Sequence, residues 1–252
     1  MAAAIGWGAL AASSLVIGAL LAFARDWSKR QTGTVLAFGA GALISAVSYE
    51  LVEEGTEVAG LSWVALGLAI GAVTYFAADG AVSNRGKHGG RGRAGRTPGA
   101  VGEGTSGASG AGTALALGAF LDGIPEQMVL GIGLAAGEGI GIGLIVAIFV
   151  SNLPEAMGSA EDMRKAGTSR AKILRLWLAV AAVCTLATVA GYLAADAASG
   201  SVKAVIDGFA AGALLVMLID SMIPAASEDA GRPAGLVTVL GFALAAALSN
   251  LT

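Results

Sequence analysis

Long apolar runs follow one another along the chain and are separated by short polar segments. A transmembrane helix needs about 20 consecutive apolar residues, and eight runs reach or approach that length. The predicted spans are residues 5–24, 32–53, 60–82, 111–135, 139–159, 173–195, 204–225 and 234–251. The runs lack the alternation of apolar and polar residues that is typical of barrel strands. The pattern therefore predicts an all-α, polytopic membrane protein, a single domain of eight transmembrane helices.

Composition supports a chain that lies in a bilayer. The sequence is 56% hydrophobic and 13% charged, whereas soluble domains carry about 25% charged residues. The 39 glycines suit close packing of helices in lipid. The single cysteine, Cys184, excludes an intrachain disulfide. Basic residues occur in short loops between apolar spans, so nucleic acid is not an expected partner.

The basic residues lie almost entirely on one predicted side of the membrane. Of the 15 Lys and Arg residues, all except Lys203 fall in segments that follow odd-numbered helices. Cytoplasmic loops are enriched in Lys and Arg, so we expect these segments to be cytoplasmic and both termini to be extracellular or periplasmic. No basic segment precedes the first apolar run, which favours a retained helix over a cleaved signal peptide. We expect a plasma or inner membrane location.

The segment between helices 3 and 4 differs in composition from the rest of the chain. Residues 83–110 are rich in Gly and Arg and contain the only histidine, His88. This composition predicts a flexible cytoplasmic loop in which His88 is solvated.

Helices 2 and 7 share a short sequence. Residues 40–43 and residues 211–214 both read AGAL, although the two helices are predicted to cross the membrane in opposite directions. Inverted repeats of this kind are common in transporters. We therefore expect helices 1–3 and 6–8 to form an inverted repeat around helices 4 and 5.

Helices 4 and 5 carry similar proline motifs inside apolar spans. Residues 122–127 read DGIPEQ and residues 151–156 read SNLPEA. Neither Pro125 nor Pro154 can donate the backbone hydrogen bond of a regular helix, so each leaves a carbonyl oxygen without its usual partner. In a membrane such a carbonyl commonly lines a polar cavity or an ion site.

The polar side chains of these motifs have a spacing that suits cation binding. Asp122 and Glu126 are four residues apart and so share one helical face, as do Ser151 and Glu155, with Asn152 on a neighbouring line. An ionised carboxylate at mid-bilayer costs about 2.5–3.5 kcal/mol or more. A bound cation or partial protonation relieves the repulsion among clustered carboxylates. The pattern favours a metal site over structural proline kinks.

These motifs resemble those of the ZIP (Zrt/Irt-like) family of divalent metal transporters. Members have eight helices, outer termini, a long cytoplasmic loop after helix 3, and His-Asn-x-Pro-Glu-Gly-like motifs in helices 4 and 5 that form a metal site. By this resemblance, Glu126 and Glu155 match the bridging glutamates of the family. The polar pairs before the prolines are matched by Asp122, Gly123, Ser151 and Asn152.

The resemblance implies a transporter rather than an enzyme. The expected activity is inward movement of a divalent cation (zinc, iron, manganese, cobalt or cadmium) without ATP or an organic cofactor. It implies rigid-body movement of the helix 4–5 group against a scaffold that contains helices 2 and 7. The lipid bilayer and the metal ion are the expected partners, and a homodimer is a further expectation.

The motifs depart from the family pattern in ways that bear on the metal. Asp122 replaces the usual histidine, Gly123 replaces the following asparagine, and Ser151 stands where histidine is frequent. The carboxylate often found in helix 6 is missing, with Cys184 or Thr185 near that position. We therefore expect one metal rather than two. Oxygen ligands suit harder ions such as manganese, but zinc also binds carboxylates, so the ion stays open.

Three further residues are candidates for the ion pathway. Glu50, near the outer end of helix 2, could concentrate cations at an entrance or be a solvated helix end; Asp220, near the inner end of helix 7, could help release the ion or be solvated there. Cys184 could be a ligand, although simple packing is the stronger reading. The alternative functions are a degenerate family member that binds or senses metal without transporting it, and a transporter of another solute.

Overall fold

The computed structural model describes residues 1–87, 123–135, 142–196 and 199–249. All regular secondary structure in these ranges is helical. The helices are α1 (Ala2–Ala24), α2 (Lys29–Ala59), α3 (Leu61–Lys87), α4 (123–135), α5 (Ile142–Lys165), α6 (Arg170–Asp196), α7 (Gly200–Ala230) and α8 (Ala234–Ser249). Each corresponds to one predicted span, which confirms the all-α class.

Six of these helices are long and apolar enough to cross a membrane: α1, α2, α3, α5, α6 and α7. Helix α8 is apolar but shorter. Several boundaries differ from the prediction. Helices α2 and α7 continue to Ala59 and Ala230, past their predicted ends, and α3 continues to Lys87, so residues 83–87 are helical rather than part of the predicted loop. The remainder of that loop, including His88, lies outside the described residues.

Local sequence determines where the helices start and stop. A capping box begins α2: the Ser28 hydroxyl accepts from the Gln31 backbone N–H, and the Gln31 side chain accepts from the Ser28 N–H. Gly60 (φ +90°) and Gly231 (φ +67°) end α2 and α7 with positive φ angles that favour glycine. The very short connections at these glycines make α2 antiparallel to α3, and α7 antiparallel to α8.

Helices α2 and α7 are interrupted at corresponding positions. Each begins with an 18-residue α-helical segment, Lys29–Ala46 and Gly200–Met217, and each then passes through a π-helical turn, Val47–Glu53 in α2 and Leu218–Met222 in α7. The number of residues between α2 and α7 is the same whether it is counted between the two helix starts, between the starts of the two π-helical turns, or between the two AGAL sequences. This shared layout supports the predicted repeat.

Helices α3 and α7 pack through glycines. Two glycines on each helix lie against backbone carbonyls of the other, with no room for a side chain. The contacts are Gly67 with Val205, Gly71 with Phe209, Gly208 with Val64 and Gly212 with Leu68. Because the numbering rises together along both helices, α3 and α7 are parallel. This is the close small-residue packing used by helices in lipid.

Helices α2 and α8 pack in the same way. Gly41 lies against the carbonyl of Thr238, and Gly241 lies against the carbonyl of Phe38. Gly33 contacts Asp229 in the last turn of α7, five residues before α8 begins, and Glu50 contacts Ser249 at the end of α8, so α2 and α8 are parallel. Since α2 is antiparallel to α3 while α7 is parallel to α3, α2 and α7 run in opposite directions. The predicted repeat is therefore inverted.

The helices form two groups that meet along α5. Helices α2, α3, α7 and α8 make one group, and α1, α5 and α6 make the other. Helix α4 joins the second group, because Gly131 packs against α6 at Thr188 and Gly191 of α6 packs against Met128. Helix α5 packs on both α2 and α8. A movement of one group relative to the other would therefore occur mainly at the surface of α5.

Candidate metal site

The two proline motifs meet at Glu126 of α4 and Ser151 of α5. The Ser151 hydroxyl lies 3.3 Å from Glu126 Oε1 and 3.0 Å from the carbonyl oxygen of Ile148. Because a hydroxyl has one proton, it can donate fully to only one of these acceptors at a time. Glu126 and Ser151 are 2% and 1% exposed. Two oxygen ligands predicted on separate helices are thus buried side by side.

Asn152 is the neighbour of Ser151 and is also buried, with 1% exposure. Within the described ranges, neither its Nδ2 nor its Oδ1 has a hydrogen-bond partner. Burying an amide without hydrogen bonds costs about 1–3 kcal/mol. An amide oxygen that no protein donor occupies is available to a cation.

Both prolines lie inside helices. Pro154 falls within α5, and Pro125 lies near the start of the described part of α4. Pro154 has no N–H for the carbonyl of Val150, one turn earlier and next to Ser151. Glu155 follows directly and is half-buried. Asp122, the remaining predicted ligand, lies outside the described residues.

Cys184 of α6 lies beside this pair of helices. Gly123 packs so closely on it that a Cβ at position 123 would stand 2.8 Å from the sulfur. The Cys184 thiol is buried. In the part of the chain that the structure describes, no three His, Cys, Asp or Glu side chains converge closely enough to hold a metal. The predicted ligands that the structure describes therefore combine serine and asparagine oxygens with the two glutamates.

Gln127, which follows Glu126, was not among the residues predicted from the sequence. Its side chain is fully buried, and the Thr188 hydroxyl of α6 donates to its Oε1 at 2.6 Å. Its Nε2 has no hydrogen-bond partner in the described segments. This hydrogen bond joins α4 to α6 at the residue next to Glu126. The available signal was an uncharged polar residue within an apolar span, which is costly unless it is hydrogen-bonded.

A second residue that the sequence analysis missed is Ser45 of α2. It is fully buried, and its hydroxyl has no hydrogen-bond partner among the described residues. Helix α2 faces α5 along this stretch, because Gly39 packs against the Ser151 backbone. Ser45 lies six residues further along α2 and is a buried polar group within an apolar stretch of that helix.

Two predicted pathway residues lie deeper within their helices than expected. Glu50 and Asp220 both lie in the π-helical turns of α2 and α7, well before the helix ends at Ala59 and Ala230. The predicted helix-end positions were wrong because both helices continue well past these two carboxylates. Glu50 accepts a hydrogen bond from the Ser249 hydroxyl of α8 at 2.6 Å, and Asp220 is half-buried.

Comparison with known proteins places the chain in a family. The model of the ZIP zinc transporter family matches residues 83–249, about two thirds of the chain, and this range contains both proline motifs. No curated protein gives a significant match. Together with the apolar helices, the match identifies a multi-pass membrane protein of divalent metal transport. The chain belongs to the ZIP zinc transporter family.

Proposed function

We propose that this protein carries a divalent transition-metal cation through a site between α4 and α5, with direction inward and without an organic cofactor. The proposed ligands come from the two proline motifs. They are Asp122, Glu126, Ser151, Asn152 and Glu155.

The observation that carries this proposal is the contact between Ser151 and Glu126, 3.3 Å apart across the two helices. A carboxylate that is 2% exposed in an apolar protein has lost nearly all its water. A divalent cation would restore the favourable interactions that burial removes. The neighbouring Asn152 amide would supply a further oxygen without any rearrangement of existing hydrogen bonds among the described residues.

The donor atoms bear on which metal is carried. Carboxylate, amide and hydroxyl oxygens suit hard or borderline cations such as manganese, iron(II) and zinc. The sole sulfur of a cysteine near the site belongs to Cys184. A thiolate ligand would favour zinc or cadmium instead. Anomalous scattering at the edges of several metals, measured on soaked crystals, would identify the ion and count the sites.

The packing supports a route for movement. Helices α4 and α5 carry the proposed ligands, and both belong to the group that meets α2 and α8 along α5. We propose that this group shifts as a body against α2, α3, α7 and α8, so that the site opens to one side at a time.

The first test replaces the carboxylates. Glu126→Ala and Glu155→Ala should each lower divalent metal uptake into proteoliposomes at least about tenfold, because each removes a charged ligand. Glu161→Gln is the matched control, since this carboxylate lies on α5 but pairs with Lys165 outside the motif. Thermal melting in detergent checks that the variants fold. Unchanged uptake of every tested metal by both alanine variants would refute the proposal.

A second candidate function is metal binding or sensing without transport. It is favoured by the motifs themselves, in which Asp122 and Ser151 stand where the family commonly has histidine. Calorimetry would then detect saturable metal binding to the purified protein, while proteoliposomes would show no flux.

A further inference from the structure

The first turn of α5 contacts a carboxylate that belongs to another helix. The Glu50 carboxylate of α2 lies against the first turn of α5, beside Gly143 and within reach of the backbone N–H of Leu144, two residues after the start of the helix. The first four N–H groups of a helix have no partner within it, and a carboxylate placed there is stabilised by hydrogen bonding and by the helix dipole. Glu50 is therefore placed where it could cap α5 from outside that helix.

Glycine at position 143 makes this arrangement possible. A Cβ there would lie 2.9 Å from Glu50 Oε1 and 2.6 Å from the Ser249 hydroxyl. The same hydroxyl donates to Glu50 at 2.6 Å, so α8 orients the carboxylate that caps α5. Three helices thus converge on one carboxyl group.

This contact lies at the surface where the two helix groups meet. Helices α2 and α8 belong to one group and α5 to the other. Glu50 lies about two helical turns from Ser151 along α5, since it contacts residues 143 and 144. It can therefore fix the position of the helix that carries Ser151, Asn152 and Glu155 without touching them.

We propose that Glu50 is a positioning residue for transport, whose carboxylate caps α5 from α2 and holds that helix against α2 and α8. The inference rests on the proposed function, because the helix it positions carries the proposed ligands. It assigns Glu50 a role different from cation capture at an entrance. The two roles differ in what they need: a cap needs an oxygen acceptor, whereas cation capture needs the negative charge.

The test compares Glu50→Gln with Glu50→Ala. Gln keeps an acceptor oxygen in nearly the same place and loses only the charge, whereas Ala loses both. Hydrogen–deuterium exchange of the peptide covering residues 142–148 reports on the cap in metal-free protein, independently of transport. Exchange of this peptide should be about fivefold faster in Glu50→Ala, the size expected for loss of one helix cap, and intermediate in Glu50→Gln.

Kinetics in proteoliposomes supply the second measurement. Glu50→Ala should lower the maximal uptake rate about fivefold, the factor expected for exchange, because a smaller fraction of the molecules has α5 in position. The KM for metal should stay within twofold of that of the unaltered protein. Glu50→Gln should fall between Ala and the unaltered protein. Ser249→Ala should give about a twofold effect on both readouts, since it removes only the donor that orients Glu50. Glu53→Gln is the control, an exposed carboxylate on the same π-helical turn.

Two outcomes would overturn the inference. Unchanged exchange in Glu50→Ala would show that Glu50 does not cap α5. A raised KM in both Glu50 variants, with Gln as impaired as Ala and Glu53→Gln also affected, would instead indicate cation attraction at an entrance. If Glu50→Ala fails to fold, the Gln and Ser249 variants still decide between these roles. Failure of the proposed function alone would appear as normal uptake in Glu126→Ala, whatever the exchange result.

Discussion

Asn152 combines a cost to the fold with a use in the proposed site. Its amide is buried and, within the described ranges, makes no hydrogen bond, whereas the Ser151 hydroxyl beside it has two acceptors within reach, the Ile148 carbonyl and Glu126. Polar groups left in this state lower stability unless a ligand completes them. We therefore expect the metal-free protein to be less stable with Asn152 than with an apolar residue of similar size at this position.

This reasoning predicts opposite effects of Asn152→Leu on stability and on binding. The free energy of unfolding of metal-free protein should stay the same or rise by up to about 2 kcal/mol, because an unsatisfied amide is replaced by an apolar group of similar volume. Metal affinity should fall about tenfold or more. Thermal melting and calorimetry measure the two quantities.

The control for Asn152→Leu is Thr74→Val, which removes a hydroxyl that bonds its own helix on the exposed face of α3. It should leave metal affinity unchanged. A clear loss of stability in metal-free Asn152→Leu, with unaltered affinity, would mean that the amide serves the fold and not the cation.

At the residue scale, sequence reasoning succeeded where one helix carried the whole signal. The proline and carboxylate of each motif are adjacent in sequence, so Glu126 and Ser151 could each be singled out from their own helix, but their contact depends on which faces of α4 and α5 meet. The contact between Gln127 and Thr188 could not, because it depends on which faces of α4 and α6 meet. Glu50 was identified as a candidate, but its contact with α5 depends on the arrangement of three helices.

At the scale of the helices, the apolar pattern predicted number and order well and ends less well. Helix α2 has 31 residues, about 46 Å at 1.5 Å per residue, against a hydrocarbon core of about 30 Å. Hydrogen bonding within a helix continues past the first charged residues, so hydropathy underestimates its length. The π-helical turns in α2 and α7 could not be predicted from hydropathy, because a turn with one additional residue contains the same types of apolar residue as the regular turns around it.

The packing of glycines against carbonyls predicts which glycine substitutions are tolerated. Gly41→Leu and Gly212→Leu should each lower the free energy of unfolding by about 1–3 kcal/mol or more, since a side chain at either position meets the backbone of α8 or α3. Melting temperatures in detergent provide the measurement.

Gly158→Ala is the matched control for these two, because a Cβ at position 158 meets nothing within 4 Å. Its melting temperature should equal or exceed that of the unaltered protein, as expected for Gly→Ala in a helix. Equal losses in all three variants would contradict close packing at Gly41 and Gly212.

At the scale of the whole molecule, the charge distribution predicts sidedness, and labelling can test it. Ser169→Cys and Ser199→Cys place exposed thiols in the α5–α6 and α6–α7 connections. An impermeant maleimide should label position 199 from outside intact cells and position 169 only after permeabilisation, because basic residues surround the α5–α6 connection.

The native thiol provides the background for this labelling experiment. Cys184 is buried, so the unaltered protein should react little under either condition. Labelling of position 169 before position 199 in intact cells would reverse the predicted orientation.

The contacts between glycines and carbonyls have a consequence for how such a chain can change over time. Each contact at Gly41, Gly71, Gly212 or Gly241 requires only a missing side chain on one helix and a backbone oxygen on the other. Every amino acid supplies that oxygen, so the partner position is free of selection for its side chain. The two halves can therefore drift until little shared sequence remains, while their geometry stays matched. In such a protein the relationship between the two halves would remain detectable in helix lengths and in the positions of the glycines.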